Sequence, residues 1–448
     1  MPFLKLFENN GMRYLLEQAV DKEGNLKAKN QFVGPHLDGT ATCFINDAEV
    51  FGEVLKEQKF PKLWYVYDSF KIMVGDGLVT SKGETWKRQR RLLTPLFHFQ
   101  KLKQMPDIMN QRIEHLCEKL EGFKGKEVLA VDLFGEMTLE VVIDCVFGGK
   151  RYLDAEAMEP LWKSVNVAVN NYFIGDLILG STLNTITPFP WNFKIKSCMK
   201  QIRAMVKRAI DLKREELKNG EQDSDLLASL IQVKDETTGE GIPESLIIDE
   251  SLTFLFAGHD TTSSLLSWCM SLLAHHPEVV SKIREEISTV LGDRQAKYED
   301  LKNLPYCDNV LKETLRMRPP VPLLDRAVGE DCEVNGQTYK KGTYVYPVFI
   351  AAHFDNRYWK KPFEFRPERF SKDNKDEPKP SPFALVPFSA GSRNCIGKKF
   401  AIIEATLALV AIIRRFDVHS KLSDDELIWQ FEGTVKPINF KCSFTPIK

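Results

Sequence analysis

Hydrophobic residues recur every three to four positions through the middle of the chain, which is the spacing of helices with one buried face. This pattern predicts four helices, over residues 132–147, 156–173, 193–218 and 225–233. A longer pattern covers residues 243–276 and is apolar on nearly every side. We therefore expect a helix of about 50 Å, at ~1.5 Å per residue, that runs through the interior and ends before Pro277.

Strand patterns are shorter and fewer. Residues 41–46 read as a strand, and Asp47 follows as the N-cap of a helix predicted over residues 48–57. A second strand-like stretch covers residues 337–345. Because no repeat, low-complexity tract or long linker divides the chain, the sequence predicts one domain over residues 1–448, mainly α-helical with small β-sheets.

Charge and composition limit the functional classes. The chain has 61 Lys and Arg against 62 Asp and Glu, a net charge of −1, which argues against a nucleic-acid-binding surface. Its nine cysteines are scattered and include no Cys-x-x-Cys pair, so we expect reduced cysteines and neither a disulfide framework nor a zinc site. No apolar run reaches the ~18 residues of a membrane span, and residues 1–18 resemble neither a signal peptide nor a span.

One cysteine, Cys395, lies in a loop directly before an apolar helical pattern over residues 398–416. The loop reads Pro-Phe-Ser-Ala-Gly-Ser-Arg-Asn-Cys-Ile-Gly over residues 387–397. The first turn of a helix offers free N–H groups and the positive end of the helix dipole. Both favour a thiolate and can lower the pKa of a cysteine to roughly 3.5–7.5.

The other residues of the loop add to this picture. Gly391 and Gly397 allow positive φ and the close approach of a flat ligand, and Arg393 adds a fixed positive charge. Cys395 is therefore a candidate metal ligand. The alternative is a buried structural cysteine in a glycine-rich turn.

The long interior pattern is locally weak at its centre. Residues 256–262 read Phe-Ala-Gly-His-Asp-Thr-Thr, where helix propensity is poor. A buried acid is costly without a purpose, and a threonine that bonds to the preceding turn bends a helix. Asp260 and Thr261 are therefore candidate catalytic residues, unless they form a tolerated polar pair on a partly exposed face.

Two further motifs supply candidates. Trp86 and Arg90 share one face of a predicted basic helix, where an indole N–H and a guanidinium together can hold a carboxylate. Glu313 and Arg316 share one face of a helix predicted over residues 306–317. The alternatives are an ordinary solvated basic helix for the first motif and a surface ion pair for the second.

The cysteine loop resembles the heme-binding signature Phe-x-x-Gly-x-Arg-x-Cys-x-Gly of the cytochrome P-450 superfamily, whose positions here are Phe388, Gly391, Arg393, Cys395 and Gly397. The resemblance covers the chain from about residue 44 to its C-terminus, with the other motifs in the same order. It implies the cytochrome P-450 fold, in which a long central helix lies over the heme and the cysteine-loop helix lies beneath it. It also implies that Cys395 is the thiolate ligand of the heme iron.

The same resemblance assigns roles to the other candidates. The residues implied to bind the heme propionates are Trp86, Arg90 and Arg326. Those implied to relay protons during oxygen activation are Asp260 and Thr261, and those that leave space for oxygen are Ala257 and Gly258. The buried network expected behind the cysteine loop consists of Glu313, Arg316 and Arg369.

Position 257 indicates how the heme is held. The chain resembles fatty-acid ω-hydroxylases over residues 90–99 and 388–397, and several of these enzymes carry a Glu at the position of Ala257 that esterifies the heme. Alanine cannot form that bond. We therefore expect heme b, iron protoporphyrin IX, to be bound non-covalently.

The resemblance implies a heme-thiolate monooxygenase that inserts one oxygen atom from O2 into a hydrophobic substrate such as a lipid, a sterol or a xenobiotic. Its electrons would come from a separate NADPH-cytochrome reductase, with cytochrome b5 as a second donor, because the chain carries no flavin or dinucleotide motif. The acidic reductase would dock on a basic face at the thiolate side of the heme. That face would contain Lys87, Arg88, Arg91, Lys101, Lys103, Lys398 and Lys399.

The microsomal members that the chain resembles carry an N-terminal membrane anchor and a Pro-rich hinge before this region, and neither precedes it here. We expect that the anchor was removed, and that the enzyme works as a monomer on the cytosolic face of the endoplasmic reticulum membrane. A naturally soluble, cytoplasmic protein is the alternative. The apolar, Pro-containing residues 174–191 are either core or a lid that touches the membrane surface.

Three other functions stay open. A heme-thiolate isomerase or dehydratase of lipid peroxides needs no proton relay, a heme sensor or carrier shows no NADPH-dependent turnover, and a zinc-binding structural protein would be colourless. The sequence does not identify the substrate. Its selectivity is expected in three apolar, loop-like walls, at residues 62–81, 174–191 and 321–324.

Overall fold

The structure is a computed structural model. It describes residues 9–33, 40–56, 59–179, 187, 189–220, 225–235, 239–378 and 381–447. Helices make up most of these ranges and the strands form small separate sheets, so the predicted mainly α-helical fold is confirmed. Within the same ranges, no helix combines the length and hydrophobicity of a membrane span.

The helices of the first part of the chain are α1 (Gly11–Ala19), α2 (Ala48–Val54), α3 (Trp64–Val74), α4 (Gly83–Leu93), α5 (Phe99–Leu102), α6 (Pro106–Gly122), α7 (Ala130–Phe147) and α8 (Ala155–Leu179). Those of the second part are α9 (Pro190–Lys218), α10 (Leu226–Gln232), α11 (Glu244–Leu273), α12 (Pro277–Leu291), α13 (Pro305–Met317), α14 (Phe349–His353) and α15 (Lys398–Arg415). Asp47 caps α2 by accepting a hydrogen bond from the Glu49 N–H, as its position predicted.

The strands are β1 (Asn30–Val33), β2 (Thr42–Ile45), β3 (Val128–Leu129), β4 (Arg326–Ala327), β5 (Cys332–Val334), β6 (Gln337–Tyr339), β7 (Tyr344–Pro347), β8 (Phe416–His419), β9 (Trp429–Phe431), β10 (Val435–Pro437) and β11 (Lys441–Pro446). The largest sheet has the order β1-β2-β7-β4, with β2 and β7 parallel and the other neighbours antiparallel. A second sheet has the order β3-β11-β8, and β5–β6 and β9–β10 form two antiparallel pairs.

Helix α11 runs through the interior. All of its side chains from residue 262 to residue 273 are buried, and it packs most extensively against α7 and also against α9, α13 and α15. This confirms the interior helix predicted over residues 243–276. It also means that polar side chains in the middle of α11 need partners from other elements.

Helix α15 begins directly after the cysteine loop, with Gly397 as its N-cap. Its apolar residues pack against α6, α11, α12 and α13. The helix predicted over residues 398–416 is thereby confirmed, except that its last residue belongs to β8. Helices α11 and α15 supply two walls of one cavity.

The segment expected as a lid over residues 174–191 is partly helical. Helix α8 continues to Leu179, beyond its predicted end at residue 173, because the apolar pattern persists there without a proline. Residues 180–186 and 188 lie outside the described part of the chain, so the lid prediction is not tested for them. Helix α9 then begins at Pro190.

Two other segments also differ from prediction. The single strand predicted over residues 337–345 is wrong: it consists of β6 and β7, which belong to different sheets and are separated by a turn at Gly342 with φ 86°. Residues 62–81, expected as a loop, contain α3. An alternating or apolar pattern reports burial, but it does not locate a turn that only a glycine with positive φ permits.

Candidate active site

A cavity of about 470 Å³ lies between α11, α15, the cysteine loop and the pair of strands β9–β10. This volume falls within the ~300–1,000 Å³ range of small-molecule sites. The predicted site residues that line it are Trp86, Arg90, Ala257, Gly258, Thr261, Arg326, Phe388, Arg393, Cys395 and Gly397. Candidates from distant parts of the sequence therefore meet in one space.

Cys395 presents its sulfur to this cavity and is the only one of the nine cysteines, all of them in described segments, with an exposed side chain. Its N–H donates to the Phe388 carbonyl at 2.9 Å, which closes the loop. The sulfur is accessible only from a cavity inside the protein, and desolvation there raises the pKa of the thiol, although the N–H groups of Gly397 and Lys398 and the charges of Arg90 and Lys398 lower it. The predicted lowering of the Cys395 pKa is therefore wrong for the protein without a ligand. Desolvation of the thiolate outweighs the stabilisation that the first turn of α15 gives it. A metal cation at the sulfur would stabilise the thiolate.

The two glycines of the loop have different structural roles. Gly391 has φ 73°, and a Cβ there would lie 2.9 Å from the Leu55 carbonyl oxygen, so conformation and space both require glycine. Gly397 has φ −85°, so it does not use the positive φ that glycine allows. Gly397 lines the cavity beside the thiol, and a Cβ on it would lie 3.9 Å from the Cys395 Sγ, an ordinary van der Waals distance.

Two of the three cavity arginines are held by backbone carbonyls. Arg393 stacks on the indole of Trp86, with its guanidinium carbon 3.7 Å from the ring centroid, and its Nη1 donates to the Ser81 carbonyl at 3.0 Å. Arg326 is buried and donates from Nη1 to the Asp325 carbonyl at 2.8 Å. These contacts hold both guanidinium groups at the cavity wall.

The third arginine, Arg90, is directed at the cysteine loop. Its two Nη atoms donate to the backbone carbonyl and the side-chain oxygen of Asn394, both at 2.8 Å. Arg90 and Trp86 therefore lie on one face of α4, as predicted. Through Asn394, Arg90 also supports the residue next to Cys395.

The walls of the cavity fit an iron porphyrin that carries two carboxylates. A thiol faces the space as a possible iron ligand, three guanidinium groups place positive charge there for carboxylates, and most of the remaining lining is aromatic or aliphatic. A zinc site has no comparable support. Within the described ranges, no group of three or more His, Cys, Asp or Glu side chains is arranged to hold a metal ion.

Thr261 and Ala257 form part of the α11 wall. The Thr261 Oγ1 donates to the Ala257 carbonyl at 2.7 Å, one turn earlier. This is the back-bonding that bends helices and that the poor propensity of the segment predicted. The hydroxyl oxygen keeps its capacity to accept a hydrogen bond from the cavity side.

Asp260 does not line the cavity beside Thr261. Its carboxylate accepts hydrogen bonds from the Lys436 Nζ at 2.5 Å and the Thr434 Oγ1 at 2.6 Å. Consecutive residues of a helix point about 100° apart, so the side chains at 260 and 261 cannot share a direction. Asp260 is fully buried, so the alternative of a partly exposed pair is also wrong. Neither partner could be found from local pattern, because they lie 174 and 176 residues away.

Gly258 lines the cavity, but its missing side chain is required by helix packing. A Cβ at this position would lie 2.8 Å from a methyl carbon of Val142 on α7, closer than real Cβ contacts come. We expect Gly258→Ala to lower the free energy of unfolding by roughly 1–3 kcal/mol, because the β-branched Val142 is buried and stiff. Urea denaturation of the purified protein measures this change.

The matched control for Gly258→Ala is the same change in a Val142→Ala background. With the methyl groups of Val142 removed, the overlap disappears and the better helix propensity of alanine should dominate, by about 1 kcal/mol. Gly258→Ala should then be neutral or stabilising. Equal destabilisation in both backgrounds would show that the contact with Val142 is not the reason for glycine.

The structure brings Glu313, Arg316 and Arg369 together as a buried network. The Glu313 carboxylate accepts from the Arg316 Nε at 2.8 Å and from the Arg369 Nε at 2.9 Å. All three side chains are buried, so the alternative of a surface ion pair is wrong. A fourth member, Glu377, accepts from the Arg369 Nη1 at 2.7 Å. Nothing in the local sequence around Glu377 indicates this contact.

Four of the seven cations expected to form a basic face at the thiolate side have acidic partners. Arg88 and Arg91 both pair with the buried carboxylate of Asp235 at 3.0 Å, and Lys87 and Lys103 pair with Glu84 and Glu299. Lys101, Lys398 and Lys399 form no ion pair with any residue that the structure describes. Lys398 and Lys399, at the start of α15, are exposed.

A mainly helical fold whose one exposed thiol faces guanidinium groups across an apolar cavity defines a heme-thiolate protein. The model of the family Cytochrome P450 matches residues 23–442 of the chain. Cytochrome P450 4V2 of Mus musculus is 35% identical over 406 residues, which cover 84% of this chain and 74% of that protein. Cytochrome P450 3A6 of Oryctolagus cuniculus is 36% identical over 345 residues, which cover 75% of this chain and 68% of that protein. The chain belongs to the cytochrome P450 family.

A third relative combines two proteins in one chain. The bifunctional cytochrome P450/NADPH–P450 reductase of Gibberella moniliformis is 33% identical over 410 residues, which cover 88% of this chain and 36% of that protein. Cytochrome P450 proteins are heme b monooxygenases that act on hydrophobic substrates with electrons from an NADPH–P450 reductase, so the predicted family, cofactor and reaction are confirmed. The resemblance to the ω-hydroxylase branch is also confirmed, although the 3A relative is equally similar.

Proposed function

We propose that Cys395 would bind the iron of heme b and that Thr261 on α11 would supply a hydroxyl to the same cavity, so that the enzyme hydroxylates an apolar substrate bound there. One observation carries this proposal. The only exposed thiol of the chain and the Thr261 side chain line the same cavity, although they belong to segments far apart in sequence.

Heme, when bound, supplies the iron on which O2 is activated, and the protein supplies ligand, orientation and a dry site. Arg90, Arg326 and Arg393 would neutralise its two propionates by their positive charge. Thr261 would hold a proton at its Oγ1 and pass it towards the cavity when its bond to the Ala257 carbonyl breaks.

The proposed substrate is a bulky apolar molecule. The cavity walls away from the thiol are rich in aromatic and aliphatic side chains, among them Phe70, Phe97, Phe254, Phe256, Leu323 and Phe431. Such walls exclude water and orient a substrate mainly by shape. Fatty acids, sterols, terpenes and apolar xenobiotics meet this description.

Spectral titration of the ferric holoenzyme tests the proposal, with palmitic acid, cholesterol, limonene and naphthalene as probes of the four classes. At least one probe should displace water from iron and shift the Soret band. The same probe should yield a hydroxylated product with NADPH and reductase, its new oxygen coming from O2. A thiolate-bound heme that shifts with none of them and yields no NADPH-dependent product would favour the heme sensor.

We further propose that the enzyme works as a monomer at the cytosolic face of the endoplasmic reticulum membrane, with cytochrome b5 as a second electron donor. The start of α9 supports the membrane contact. Phe189 and Trp191 stack with ring centroids 4.4 Å apart, and Phe193 is 63% exposed beside the basic Lys194. Aromatic and basic side chains together favour the membrane interface.

We also propose that the reductase docks at Lys398 and Lys399. The charge-reversed variant Lys398→Glu/Lys399→Glu should lose roughly tenfold or more of its reductase-supported turnover at low ionic strength, because electrostatic steering of the acidic partner is lost. Turnover should also become less sensitive to salt. Stopped-flow reduction of the heme by reductase, at several ionic strengths, measures both changes.

Lys200→Glu is the matched control for the docking variant. Lys200 is exposed on α9, which packs mainly against α8 and α11. This variant should leave reduction by the reductase unchanged, and both variants should keep the carbon monoxide spectrum of a thiolate-bound heme. Equal reduction rates for wild type and the charge-reversed variant would exclude this docking site.

A further inference from the structure

The loop of residues 75–82, which joins α3 to α4, forms one wall of the cavity. Its residues Leu78 and Val79 line the cavity, and so do Thr253 and Phe254 of α11. The distance between this loop and α11 therefore contributes to the width of the space that a ligand can use.

Two neighbouring acids near the N-terminal end of α11 hold the loop. The Asp249 Oδ2 accepts from the Asp76 N–H at 2.9 Å, and the Glu250 Oε2 accepts from the Leu78 N–H at 3.0 Å. Consecutive residues of a helix point about 100° apart, so the two carboxyl groups reach different N–H groups of the loop. We call Asp249 and Glu250 the loop anchor.

The loop approaches α11 so closely that two of its residues must be glycine. A Cβ on Gly75 would overlap the Asp249 carboxylate, and Gly75 also has φ 63°. A Cβ on Gly77 would overlap the Thr253 Oγ1 and lie 2.9 Å from the Asp249 carbonyl oxygen. The loop anchor therefore fixes a contact in which the backbone of the loop packs directly on α11.

Glu250 is the inner member of the loop anchor. It is fully buried, and its Oε1 has no hydrogen-bond partner among the residues that the structure describes. Burial raises the pKa of its carboxyl to about 8, with a smaller contribution from the charge of Asp249, so Glu250 is mostly neutral at pH 7. A neutral carboxyl that accepts one N–H bond can be replaced in that role by the amide of a glutamine.

Asp249 is the outer member and also contacts α9. Its Oδ1 accepts from the Arg203 Nη1 at 2.8 Å, and the two side chains are 15% and 34% exposed. Water can replace a partner of Asp249 at such a site, whereas it cannot reach the Glu250 carboxyl without movement of the loop. Glu250 is therefore the member on which the position of the loop depends most.

We propose that Glu250 is a positioning residue whose bond to the Leu78 N–H sets the width of the cavity between the loop and α11, so that compact apolar ligands bind better than bulky ones. This inference rests on the proposed function, in which the ligand occupies this cavity. When the acceptor is lost, the buried Leu78 N–H finds a partner only if the loop moves away from α11 and reaches water. Selectivity then changes although no side chain that lines the cavity has been replaced.

Glu250→Leu tests this inference in the ferric holoenzyme. Leucine fills a similar volume but accepts no hydrogen bond. The probes are 1-phenylimidazole, which is compact, and clotrimazole, which is bulky. Both bind heme iron through an imidazole nitrogen, so their affinities report the space near the iron whatever the natural substrate is.

Titrations followed at the Soret band give the two Kd values. The Kd of 1-phenylimidazole should rise about fivefold or more in Glu250→Leu, because the widened cavity encloses this probe less closely. The affinity for clotrimazole should not fall. Any other pattern, including a loss of affinity for both probes or for neither, would overturn the proposal.

Two variants serve as controls. Glu250→Gln keeps the acceptor and should keep both wild-type affinities. Glu244→Leu makes the same replacement at an acid of α11 that pairs instead with Lys207 on α9 at 3.0 Å, and it should also leave both affinities unchanged. If Glu250→Gln or Glu244→Leu reproduced the effect of Glu250→Leu, the bond to the Leu78 N–H would not be its cause.

Hydrogen exchange on the wild-type holoenzyme gives a readout that needs no variant. The Leu78 N–H should exchange about a hundredfold or more slowly than an unprotected amide, because its acceptor is buried. Exchange at the unprotected rate would overturn the proposal even if Glu250→Leu did not fold. A wild type without the carbon monoxide spectrum of a thiolate-bound heme would instead overturn the proposed function, so the two failures are distinguishable.

Discussion

Replacement of Cys395 by alanine is expected to abolish both the thiolate spectrum and NADPH-driven turnover. The sulfur of Cys395 is the only exposed thiol of the chain, and it faces the cavity that the arginines surround. When Cys395 is absent, no other cysteine of the described segments can bind the heme iron in its place, because the others are buried or lie outside the cavity. The reduced protein with carbon monoxide should lose the far-shifted Soret band that marks sulfur ligation.

Cys332→Ala is the matched control for this prediction. Cys332 is half-buried on β5 and does not line the cavity. The control variant should keep the heme content, the Soret band and the turnover of wild type. A Cys395→Ala variant that retained the shifted band would show that another sulfur binds the iron, and the proposed site would be wrong.

Glu313→Gln is expected to have the largest effect on stability. Glutamine keeps the size of the side chain but removes the negative charge that balances Arg316 and Arg369 in the interior. Removal of one partner from a buried charge network lowers the free energy of unfolding by about 3–5 kcal/mol, because the remaining charges stay desolvated. Urea denaturation followed by circular dichroism, together with heme retention, measures this loss.

A surface pair provides the comparison. Asp417 accepts from Arg284 at 2.8 Å, with the two side chains 45% and 30% exposed. Asp417→Asn should lower the free energy of unfolding by about 1 kcal/mol or less, since solvent screens such pairs. Similar losses for Asp417→Asn and Glu313→Gln would mean that burial of the network does not determine its contribution.

Local pattern predicted the parts of the site that are continuous in sequence. The cysteine loop and α15 follow one another directly, and the weak centre of α11 lies within a single helical repeat. Each is readable because turn residues, propensity and period act over a few positions. The four helices predicted in the middle of the chain were readable for the same reason, although α8 extends further than predicted.

Contacts between distant segments were not readable in this way. Asp235, which pairs with Arg88 and Arg91 of the predicted basic face, lies 147 and 144 residues from them. The pKa of the Cys395 thiol depends on desolvation by walls drawn from several elements, so the helix start alone predicted its direction wrongly. Ion pairing and desolvation of this kind depend on which segments pack together in the folded chain. The periodicity of the sequence contains no information about that packing.

The sequence by itself determined the family, the cofactor, the thiol that faces the cavity and the helices that carry the site, because these reside in short motifs and in repeating local patterns. Only the tertiary structure decided that Asp260 turns away from Thr261 towards Lys436, that Gly258 is required by Val142, and that Glu377 completes the buried network. The reason is physical: a buried polar group takes whichever partner the fold brings within about 3 Å, and that partner can lie anywhere in the chain.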